Sequence, residues 1–401
     1  MARHNSRSVD RFLAGPGPSC GQAVLLEMSA SERISARWPS VCALKSLVSE
    51  VLGPRLRELG SREGGYSYDP CSLFLVLMFG LMRGLRSSRS LEDACACDCR
   101  FVYLSDGLEP DHATLARFRQ KLGSELEDLF CLVCQEAERR GILERRGMVV
   151  DGTKVAAARS QWRKALEEAE DADALEEEAQ KMVSRGQYLV GYNLQMAADM
   201  KSGLVTGYVA STNPADQIQM DSVIEASHRQ SGGLPEKVVT DRGYDSSGNA
   251  HALASRGVKG FIPLAMADSR PPFRVDEAGN IRCPAGHIAS KTGAKGSRYV
   301  YRIFRCAACP QKKACGVKGD RRDYTAARGA IPGARLEANA RCETEEGRAL
   351  LRLRGPTIER VFGHFKWNLG FRRLVLRGLK GATLEFGLLT LSYNLRKLVN
   401  G

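Results

Sequence analysis

The sequence contains no run of about 18 or more apolar residues, the length that a helix needs to cross a bilayer. We therefore expect no membrane span and no membrane partner. The N-terminal segment MARHNSRSVDRFLAGPGPSCG also lacks the apolar core of a secretory signal. The 13 cysteines are odd in number and irregularly spaced, which argues against a disulfide framework. Together these absences predict a protein of the reducing cytoplasm.

Acidic residues are in the minority. The 401 residues include 59 Lys and Arg against 46 Asp and Glu, which gives a formal charge of +13. This balance predicts a polyanionic partner, nucleic acid before membrane. A merely basic protein would have its charge dispersed, but residues 352–380 hold eight Lys or Arg and a single acid, Glu359. The length and the 43% of hydrophobic residues allow two or three domains with a buried core.

The N-terminal part of the chain is predicted to be helical. Residues 1–63 form an extension to which no role is assigned, and residues 64–140 predict an all-α domain. Within this domain Asp69, followed by a proline, and Asp111 are predicted to begin helices as N-caps. Basic outer faces on short helices suit docking on DNA, although a helical bundle with solvated arginines fits this segment equally well.

Residues 145–265 predict an α/β core around one mixed sheet, because strand, hairpin, helix, strand, helix and strand follow in that order. Residues 160–186, with eight acids in 161–182, are interpreted as a solvated helical insertion in this core. Residues 270–345 form a basic, cysteine-rich insertion, and residues 346–401 predict the helices that close the core.

Two aspartates follow hydrophobic strand segments. Asp151 comes after Met-Val-Val and Asp241 after Val-Val-Thr. Each is expected at the carboxyl end of its strand, the edge at which open α/β sheets place their ligands. Aspartate is also common in turns, and either residue alone would be interpreted in that way. Two aspartates in equivalent positions after apolar strands favour a functional site.

Glu359 is predicted to lie on a narrow helical face together with Lys366, inside the basic strip 352–380. An apolar stripe occupies another face and consists of Ile358, Val361, Phe362, Phe365 and Leu369. The basic residues would hold a phosphate backbone. A lone carboxylate facing that backbone needs a cation between them, so Glu359 is predicted to ligate Mg²⁺. The alternative is a weak surface ion pair between Glu359 and Lys366.

The segments VVDGTK, VVTDRGYDSSGN and IERVFGHFKWNLGFRR resemble the three catalytic motifs of DDE transposases of bacterial insertion sequences, in the retroviral-integrase and RNase H-like superfamily. The similarity is closest to the subgroup with a helical N-terminal domain and a cysteine-containing insertion. It implies an α/β fold in which an RNase H-like mixed-sheet catalytic core carries an all-α N-terminal domain and a small cysteine-rich insertion.

The resemblance also implies roles for individual residues. Asp151, Asp241 and Glu359 would bind two divalent ions, Mg²⁺ or Mn²⁺, and Lys366 would contact the phosphates of the transposon end. Further basic residues of the strip are predicted to bind DNA, namely Arg354, Arg360, Arg372 and Arg373. The family often has an arginine four residues before the glutamate and a tyrosine three residues before that arginine. Here those positions hold Gly355 and Arg352, and the arginine is displaced by one residue to position 354.

Four cysteines form the pattern C-x22-C-x2-C-x5-C, namely Cys283, Cys306, Cys309 and Cys315. Cys-x2-Cys is a common half-site for zinc, and a second pair brought alongside would complete a tetrahedron. The surrounding residues 282–328 contain 12 Lys or Arg against two Asp, which suits a small zinc-bound module that grips DNA. The alternative is a set of reduced structural cysteines in a loop.

These features predict a DNA transposase that cleaves double-stranded DNA at inverted-repeat ends. It would join the resulting 3′-hydroxyls to target DNA by two-metal-ion phosphoryl transfer. We expect a homodimer in the synaptic complex, acting at the nucleoid in the bacterial cytoplasm. Two alternatives stay open: an RNase H-like nuclease that cuts without joining, and an inactive derivative that only occupies DNA. The long helical N-terminal region and the basic insertion favour transposition, and the three acids argue against an inactive derivative.

Overall fold

A mixed β-sheet organises the middle of the chain in the computed structural model, which describes residues 30–61, 68–158, 178–184, 186–265 and 271–400. Its strands are β1 (Met148–Ala156), β2 (Gln180–Ser184), β3 (Gln187–Asp199), β4 (Val205–Ser211), β5 (Lys237–Val239) and β6 (Lys259–Phe261). The strand order is β2-β3-β1-β5-β6, and β4 also pairs with β3. β1 pairs antiparallel with β3 and parallel with β5, and β5 pairs parallel with β6. An antiparallel half and a parallel half therefore meet at β1.

Short helices precede the sheet. Those described are α1 (Ala30–Arg37), α2 (Pro39–Leu47), α3 (Gly53–Ser61), α4 (Pro70–Met82), α5 (Ser88–Cys97), α6 (Cys99–Leu104), α7 (His112–Lys121) and α8 (Leu126–Arg139). Both predicted N-caps are confirmed. The Asp69 carboxylate accepts the Ser72 N–H at 3.0 Å at the start of α4, and Asp111 accepts the Thr114 N–H at 2.6 Å at the start of α7.

The later helices include those that carry the basic strip. They are α9 (Met220–Ser231), α10 (Ser247–Ala254), α11 (Ala334–Cys342), α12 (Glu345–Arg354), α13 (Arg360–Gly363) and α14 (Gly378–Asn400). Two π-helical turns, Gly355–Glu359 and His364–Asn368, flank α13. No helix in the described part of the chain has both the length and the apolar character that a bilayer crossing requires.

The cysteine-rich insertion has its own small β-structure. A hairpin joins β7 (Arg274–Val275) to β8 (Ile281–Arg282), and a three-stranded antiparallel sheet has the order β11 (Arg322–Ala327), β10 (Arg298–Ile303), β9 (Ser290–Lys295). A separate hydrophobic cluster holds these strands together through Phe273, Ile281, Ile303 and Tyr324, and it also contains Cys283 and Cys306.

Successive residues of β1 point to opposite faces of the sheet, and both faces are covered. Val149 packs into a large hydrophobic cluster with α14 and with helices of the N-terminal part. Met148 and Val150 pack into a second cluster with residues of α9 and α10. A strand that is buried on both faces consists of consecutive apolar residues. This burial explains why Met-Val-Val forms an uninterrupted apolar segment in the sequence.

The large cluster crosses the boundaries predicted at residues 63 and 140. Leu44 of α2, Phe74 of α4, Phe130 of α8, Val149 of β1 and Phe386 of α14 all belong to it. The described part of the 1–63 extension is thus helical and shares its core with the helices that follow. α14 packs against both α4 and β4, which agrees with the apolar closing helix predicted from the sequence.

Two local predictions need correction. Asp151 was expected at the end of its strand, but β1 continues to Ala156, because Gly152 to Ala156 stay paired with β3. The helical insertion predicted over 160–186 falls mostly outside the described residues. Its described end, Gln180–Ser184, is strand β2, because it pairs with the first residues of β3.

A buried ion pair fixes the segment that follows the basic strip. The Glu385 side chain, only 6% exposed, lies 3.1 Å from Nη1 of Arg86 and accepts the N–H groups of Val375 and Leu376 at 2.7 and 2.9 Å. Arg86 also donates to the carbonyls of Arg373 and Gly370 at 2.6 and 3.3 Å. These bonds tie the N-terminal helices and α14 to the chain between residues 370 and 376.

Replacing Glu385 with Ala should destabilise the protein by about 3 kcal/mol, since it removes the counter-ion of the partly buried Arg86 and leaves two backbone donors without their acceptor. Urea denaturation measures this change. The control is Glu225→Ala, whose side chain is 55% exposed and pairs with Arg229, itself 52% exposed; it should cost less than about 1 kcal/mol. Equal effects of the two substitutions would contradict the role assigned to Glu385.

Candidate active site

The parallel pairing of β1 and β5 aligns two of the predicted acids. Val149 pairs with Val239 in this ladder, and Asp151 and Asp241 each lie two residues further along their chains. The backbone at Asp241 is still extended. Side chains two residues apart on a strand share a face, and neighbouring strands are about 4.8 Å apart. The two carboxylates therefore lie side by side on one face of the sheet.

The electrostatics confirm this proximity. Burial and, next in size, the neighbouring Asp241 carboxylate together raise the pKa of Asp151 to about 6, against the lowering effect of Arg354. The same carboxylates also affect the pKa of the fully buried Tyr244. Burial takes the Tyr244 pKa well above its usual value, and the carboxylates of Asp216, Asp151 and Asp241 add to the effect. Three aspartates thus crowd around one tyrosine.

Glu359 reaches the site through an arginine. The Arg354 guanidinium donates from Nη1 to Asp151 Oδ2 at 2.9 Å and lies with Nη2 3.3 Å from Glu359 Oε1. Arg354 is the last residue of α12, and Glu359 is the last residue of the following π-helical turn. The structure therefore brings Asp151, Asp241 and Glu359 into one neighbourhood, although they come from three distant parts of the sequence.

The donor set suits a hard divalent cation, because Mg²⁺ and Mn²⁺ prefer carboxylate oxygens. Burial and the neighbouring Asp241 raise the pKa of Asp151, and a bound cation would stabilise its ionised form. Across the described ranges, however, no three His, Cys, Asp or Glu side chains are grouped closely enough to hold a metal ion. The Arg354 guanidinium lies between Asp151 and Glu359, where a cation shared by these carboxylates would have to bind.

A fourth carboxylate at the site was not singled out from the sequence. Asp216 accepts hydrogen bonds from Lys154 Nζ at 2.9 and 3.0 Å, from Asn193 Nδ2 at 2.9 Å and from Gln195 Nε2 at 2.8 Å. The carbonyl oxygen of the Gln195 side chain in turn accepts the Tyr244 hydroxyl. This network connects β1 and β3 with the loop that carries Asp241.

The position of Asp216 next to the site has a sequence signal that could have been used. It follows β4 and the turn residues Asn213 and Pro214, and polar residues in such loops gather at the ligand-binding edge of a sheet. A Cβ atom on Gly243 would lie 3.0 Å from Asp241 Oδ1 and 3.8 Å from Asp216 Oδ2. The glycine therefore leaves room for the Asp241 carboxylate, whereas the distance to Asp216 is an ordinary contact.

A second ion pair, between Asp245 and Arg335, fixes the loop that carries Asp241. The Asp245 carboxylate, fully buried, accepts from Arg335 Nε and Nη2 at 2.7 and 2.6 Å and from Asn339 Nδ2 at 3.2 Å. Burial alone would raise the Asp245 pKa, but the bonds to Arg335 dominate and lower it. The loop is thus tied to α11, the first helix after the cysteine-rich insertion.

Three of the predicted DNA-binding residues lie near the end of β1. Lys366 Nζ lies 3.3 Å from the carbonyl oxygen of Lys154. Arg372 stacks its guanidinium 4.1 Å from the centre of the Trp367 ring, and the Arg373 backbone bridges to Ala156 of β1. Arg360, Arg372 and Arg373 are exposed, whereas Lys366 and Arg354 are half-buried. Of the five basic side chains, Arg354 contacts the candidate carboxylates directly, and Arg360 lies beside Tyr393 and Lys397 of α14.

The apolar stripe predicted for this strip is confirmed. Each of its members is at most 9% exposed, namely Ile358, Val361, Phe362, Phe365 and Leu369. Glu359, in contrast, is exposed, and so is Gly370. The helix is not regular, because two π-helical turns interrupt it.

The four cysteines of the insertion are near enough to affect one another electrostatically, but the finding that no three metal-ligating side chains of the described ranges are grouped closely enough to hold an ion applies to them as well. Cys283, Cys306 and Cys315 are buried, and Cys309 is half-buried. Burial raises the pKa of the Cys306 thiol, and the other three cysteines raise it further. Turns place two of them, because the Gly286 N–H donates to the Cys283 carbonyl at 2.8 Å and the Cys309 N–H to the Cys306 carbonyl at 3.4 Å.

Two family models match the chain. One, described as a transposase DDE domain, matches residues 282–399, and the other, described as a transposase domain (DUF772), matches residues 30–121. A comparison with curated proteins finds no match. Among solved structures, a cryo-EM structure of a piggyBac transposase synaptic complex with hairpin DNA shares 11% identity. That similarity covers 92% of this chain and 84% of the other, with a TM-score of 0.25, which is too low to establish a shared fold.

The two matched regions define the protein as a transposase. More closely, it belongs to the DDE transposases of insertion-sequence type. The DDE match includes Glu359 and the basic strip but begins after Asp151 and Asp241. The N-terminal match begins at residue 30 and so includes the whole described part of the 1–63 extension, residues 30–61.

Replacing Asp216 with Ala should cost about 2 kcal/mol of unfolding free energy, because the buried amides of Asn193 and Gln195 lose their acceptor. Chemical denaturation monitored by circular dichroism tests this. Asp221→Ala serves as the control, since that side chain is 65% exposed, and its effect should stay below about 1 kcal/mol. An Asp216 variant as stable as the control would show that the network does not hold the site together.

Proposed function

We propose that this transposase cleaves DNA at the ends of its insertion sequence and joins the 3′-hydroxyls to target DNA. Asp151, Asp241 and Glu359 hold two divalent ions, Mg²⁺ or Mn²⁺, for this reaction. The observation that supports the proposal best is the β1–β5 register, which aligns Asp151 with Asp241, together with the Arg354 bridge from Asp151 to Glu359.

The central sheet supports an RNase H-like assignment for the catalytic core. The hairpin of β3 and β4 lies antiparallel to β1, and β5 and β6 continue on the other side of β1 in parallel. This arrangement places the candidate acids of β1 and β5 on neighbouring strands in the middle of the sheet. The helix that carries Glu359 then has to pack against this sheet to complete the set.

The bound ions and the protein side chains would have different roles in the reaction. Divalent ions, when bound, would activate the attacking oxygen and stabilise the leaving oxygen. Asp151 and Asp241 offer carboxylates fixed by the sheet, and Glu359 offers one from a helix. Lys366, Arg360, Arg372 and Arg373 neutralise phosphates and hold the strand in register with the acids. Water and then the 3′-hydroxyl serve as nucleophile, so no covalent protein intermediate is needed.

The partners follow from this chemistry. Two transposon ends and one target must be held at once, which requires more DNA-binding surface than cleavage alone, and a homodimer in the synaptic complex would supply it. The helical N-terminal region and the basic insertion, with 12 Lys or Arg against two Asp over residues 282–328, are the surfaces available. They favour transposition over the alternative of a nuclease that cuts without joining. The proximity of the three acids favours an active enzyme over a derivative that only occupies DNA.

Conservative substitution of any one acid should abolish both cleavage and joining while DNA binding persists. Asp151→Asn, Asp241→Asn and Glu359→Gln should each reduce the rate by about 10³-fold or more, equivalent to about 4 kcal/mol, because each removes one anionic ligand and keeps the shape. The assay uses duplexes from the inverted repeats beside the gene and a plasmid target, and a gel separates cut from joined products. Fluorescence anisotropy with the same duplexes measures binding.

The matched control is Glu343→Gln, an exposed acid in the segment between α11 and α12, which should leave both steps unchanged. Undiminished joining by Asp241→Asn would remove this residue from the mechanism. A wild-type protein that cuts the duplexes but never yields joined strands would favour the nuclease instead.

We also propose that Cys283, Cys306, Cys309 and Cys315 bind a structural zinc ion. Cys283 and Cys306 belong to the hydrophobic cluster of the insertion, Cys315 is also buried, and the other three thiols are near enough to Cys306 to raise its pKa. A small module with a core of this size commonly needs a metal for stability. Its basic surface would then be presented to DNA on a fixed frame.

Purified protein should contain about one zinc per chain by elemental analysis, and Cys306→Ser with Cys309→Ser should remove it. Loss of the metal should also lower the melting temperature, because binding free energy of the ion contributes to folding. Cys97→Ser is the control, because that cysteine is exposed and lies in α5 outside the insertion. Well under one zinc per chain in the wild-type protein would reject the site.

A further inference from the structure

Arg354 has a position that DNA binding alone does not explain. Its guanidinium contacts two of the three candidate metal ligands, Asp151 Oδ2 at 2.9 Å and Glu359 Oε1 at 3.3 Å. The Arg354 side chain is 20% exposed and that of Asp151 is 17% exposed. An arginine whose only role is to bind a DNA phosphate would extend into solvent. Arg354 instead lies between the carboxylates of Asp151 and Glu359.

The backbone is adapted to this contact. In an α-helical turn residue i bonds to i+4, whereas in a π-helical turn it bonds to i+5. Arg354 and Glu359 are five residues apart, and the chain between them is the π-helical turn Gly355–Glu359. The Glu359 carboxylate folds back over Gly355, where a Cβ atom would lie at van der Waals distance, 3.4 Å from Oε1. The contact therefore follows from the local geometry of the helix.

The charges explain why a cation is needed there. Asp151, 17% exposed, lies beside Asp241, and the more exposed Glu359 is joined to Asp151 through Arg354, so the DNA-free protein must accommodate the charge of a largely buried carboxylate next to a second one. Removing one partner of a buried ion pair leaves an uncompensated charge, which is costly. A guanidinium is planar and can serve two carboxylates at once, which a lysine ammonium does less well.

We propose that Arg354 is a positioning residue that substitutes for the divalent ions in the DNA-free protein and is released to a DNA phosphate when those ions bind. The inference rests on the proposed function, since it takes Asp151 and Glu359 as metal ligands. Arg354 holds both carboxylates in place and neutralises them, and in doing so it competes with the ions for the same oxygens. A DNA phosphate that attracts Arg354 frees these oxygens, so DNA and metal should bind with positive cooperativity.

The test compares Mn²⁺ binding to DNA-free wild-type protein, Arg354→Gln and Arg354→Lys by isothermal titration calorimetry, with melting temperatures recorded with and without Mn²⁺. Arg354→Gln should bind Mn²⁺ about tenfold more tightly, because the competing cation is gone. Its melting temperature without metal should fall, and the increase caused by Mn²⁺ should exceed that of the wild type. Arg354→Lys should lie between the two, which keeps the test valid if the Gln variant folds poorly.

Two control variants distinguish a failure of the inference about Arg354 from a failure of the proposed metal site. Arg352→Gln removes an exposed arginine of the same helix and should bind Mn²⁺ as the wild type does. Asp151→Asn should lose Mn²⁺ binding. If Asp151→Asn loses binding but Arg354→Gln binds no more tightly than the wild type, the inference about Arg354 is overturned and the proposed metal site stands. If Mn²⁺ binding is insensitive to Asp151 in every variant, the proposed function is overturned, and the inference with it.

Cooperativity provides a second readout. With a duplex that carries an already cleaved transposon end, wild-type protein should bind Mn²⁺ more tightly than without DNA. Arg354→Gln should show little of this DNA-dependent gain, since its carboxylates are free in both states. An equal gain in both proteins would contradict the release of Arg354 to DNA.

Discussion

Repulsion between neighbouring carboxylates is the constraint on which the site depends. The fold sets Asp151 and Asp241 side by side on neighbouring inner strands of the sheet and connects Glu359 to Asp151 through Arg354. Two neighbouring carboxylates are unfavourable without a cation, and burial together with the Asp241 charge raises the pKa of Asp151 to about 6. In the DNA-free protein Arg354 offsets it, and in the proposed working state divalent ions do so. Much of the surrounding structure keeps these charges together in spite of their repulsion.

Three buried polar contacts serve that purpose from different directions. Asp216 connects β1 and β3 to the loop of Asp241 through Lys154 and Gln195. Asp245 and Arg335 fix the same loop to α11. Glu385 and Arg86 hold the chain that follows the Glu359 helix. Each contact joins segments that are distant in sequence, so the site depends on the whole core rather than on one motif. This arrangement suits an enzyme that must hold the acids rigidly while long DNA strands pull on its surface.

The sequence predicted the parts of this arrangement that have a regular pattern. The N-caps Asp69 and Asp111, the apolar stripe from Ile358 to Leu369 and the order of strands and helices all have periodic or local signals. The length of β1 beyond Asp151 was not predictable, because the residues after it are held in the strand by pairing with β3, a long-range interaction. The strand at Gln180–Ser184 was missed for the same reason, since an acidic, polar segment carries no strand pattern of its own.

The π-helical turn before Glu359 was not predicted from the sequence either, because the composition of Gly355–Glu359 fits an α-helix as well. Once seen, it explains the apparent departure from the family pattern. An arginine four residues before the glutamate shares its face on an α-helix, and an arginine five residues before it, here Arg354, does so across a π-helical turn. The displacement by one residue is thus compensated by one extra residue in the turn. The arginine keeps its relation to the glutamate, while the contact with Asp151 is known only from the structure.

The most direct measurement is a crystal structure of the protein with a cleaved transposon-end duplex and Mn²⁺, with anomalous scattering recorded for manganese. The account predicts two manganese peaks among the carboxylates of Asp151, Asp241 and Glu359, with the Arg354 guanidinium moved from Asp151 to a phosphate. Manganese peaks remote from these three acids, or acids too far apart in the DNA complex to share ions, would contradict it.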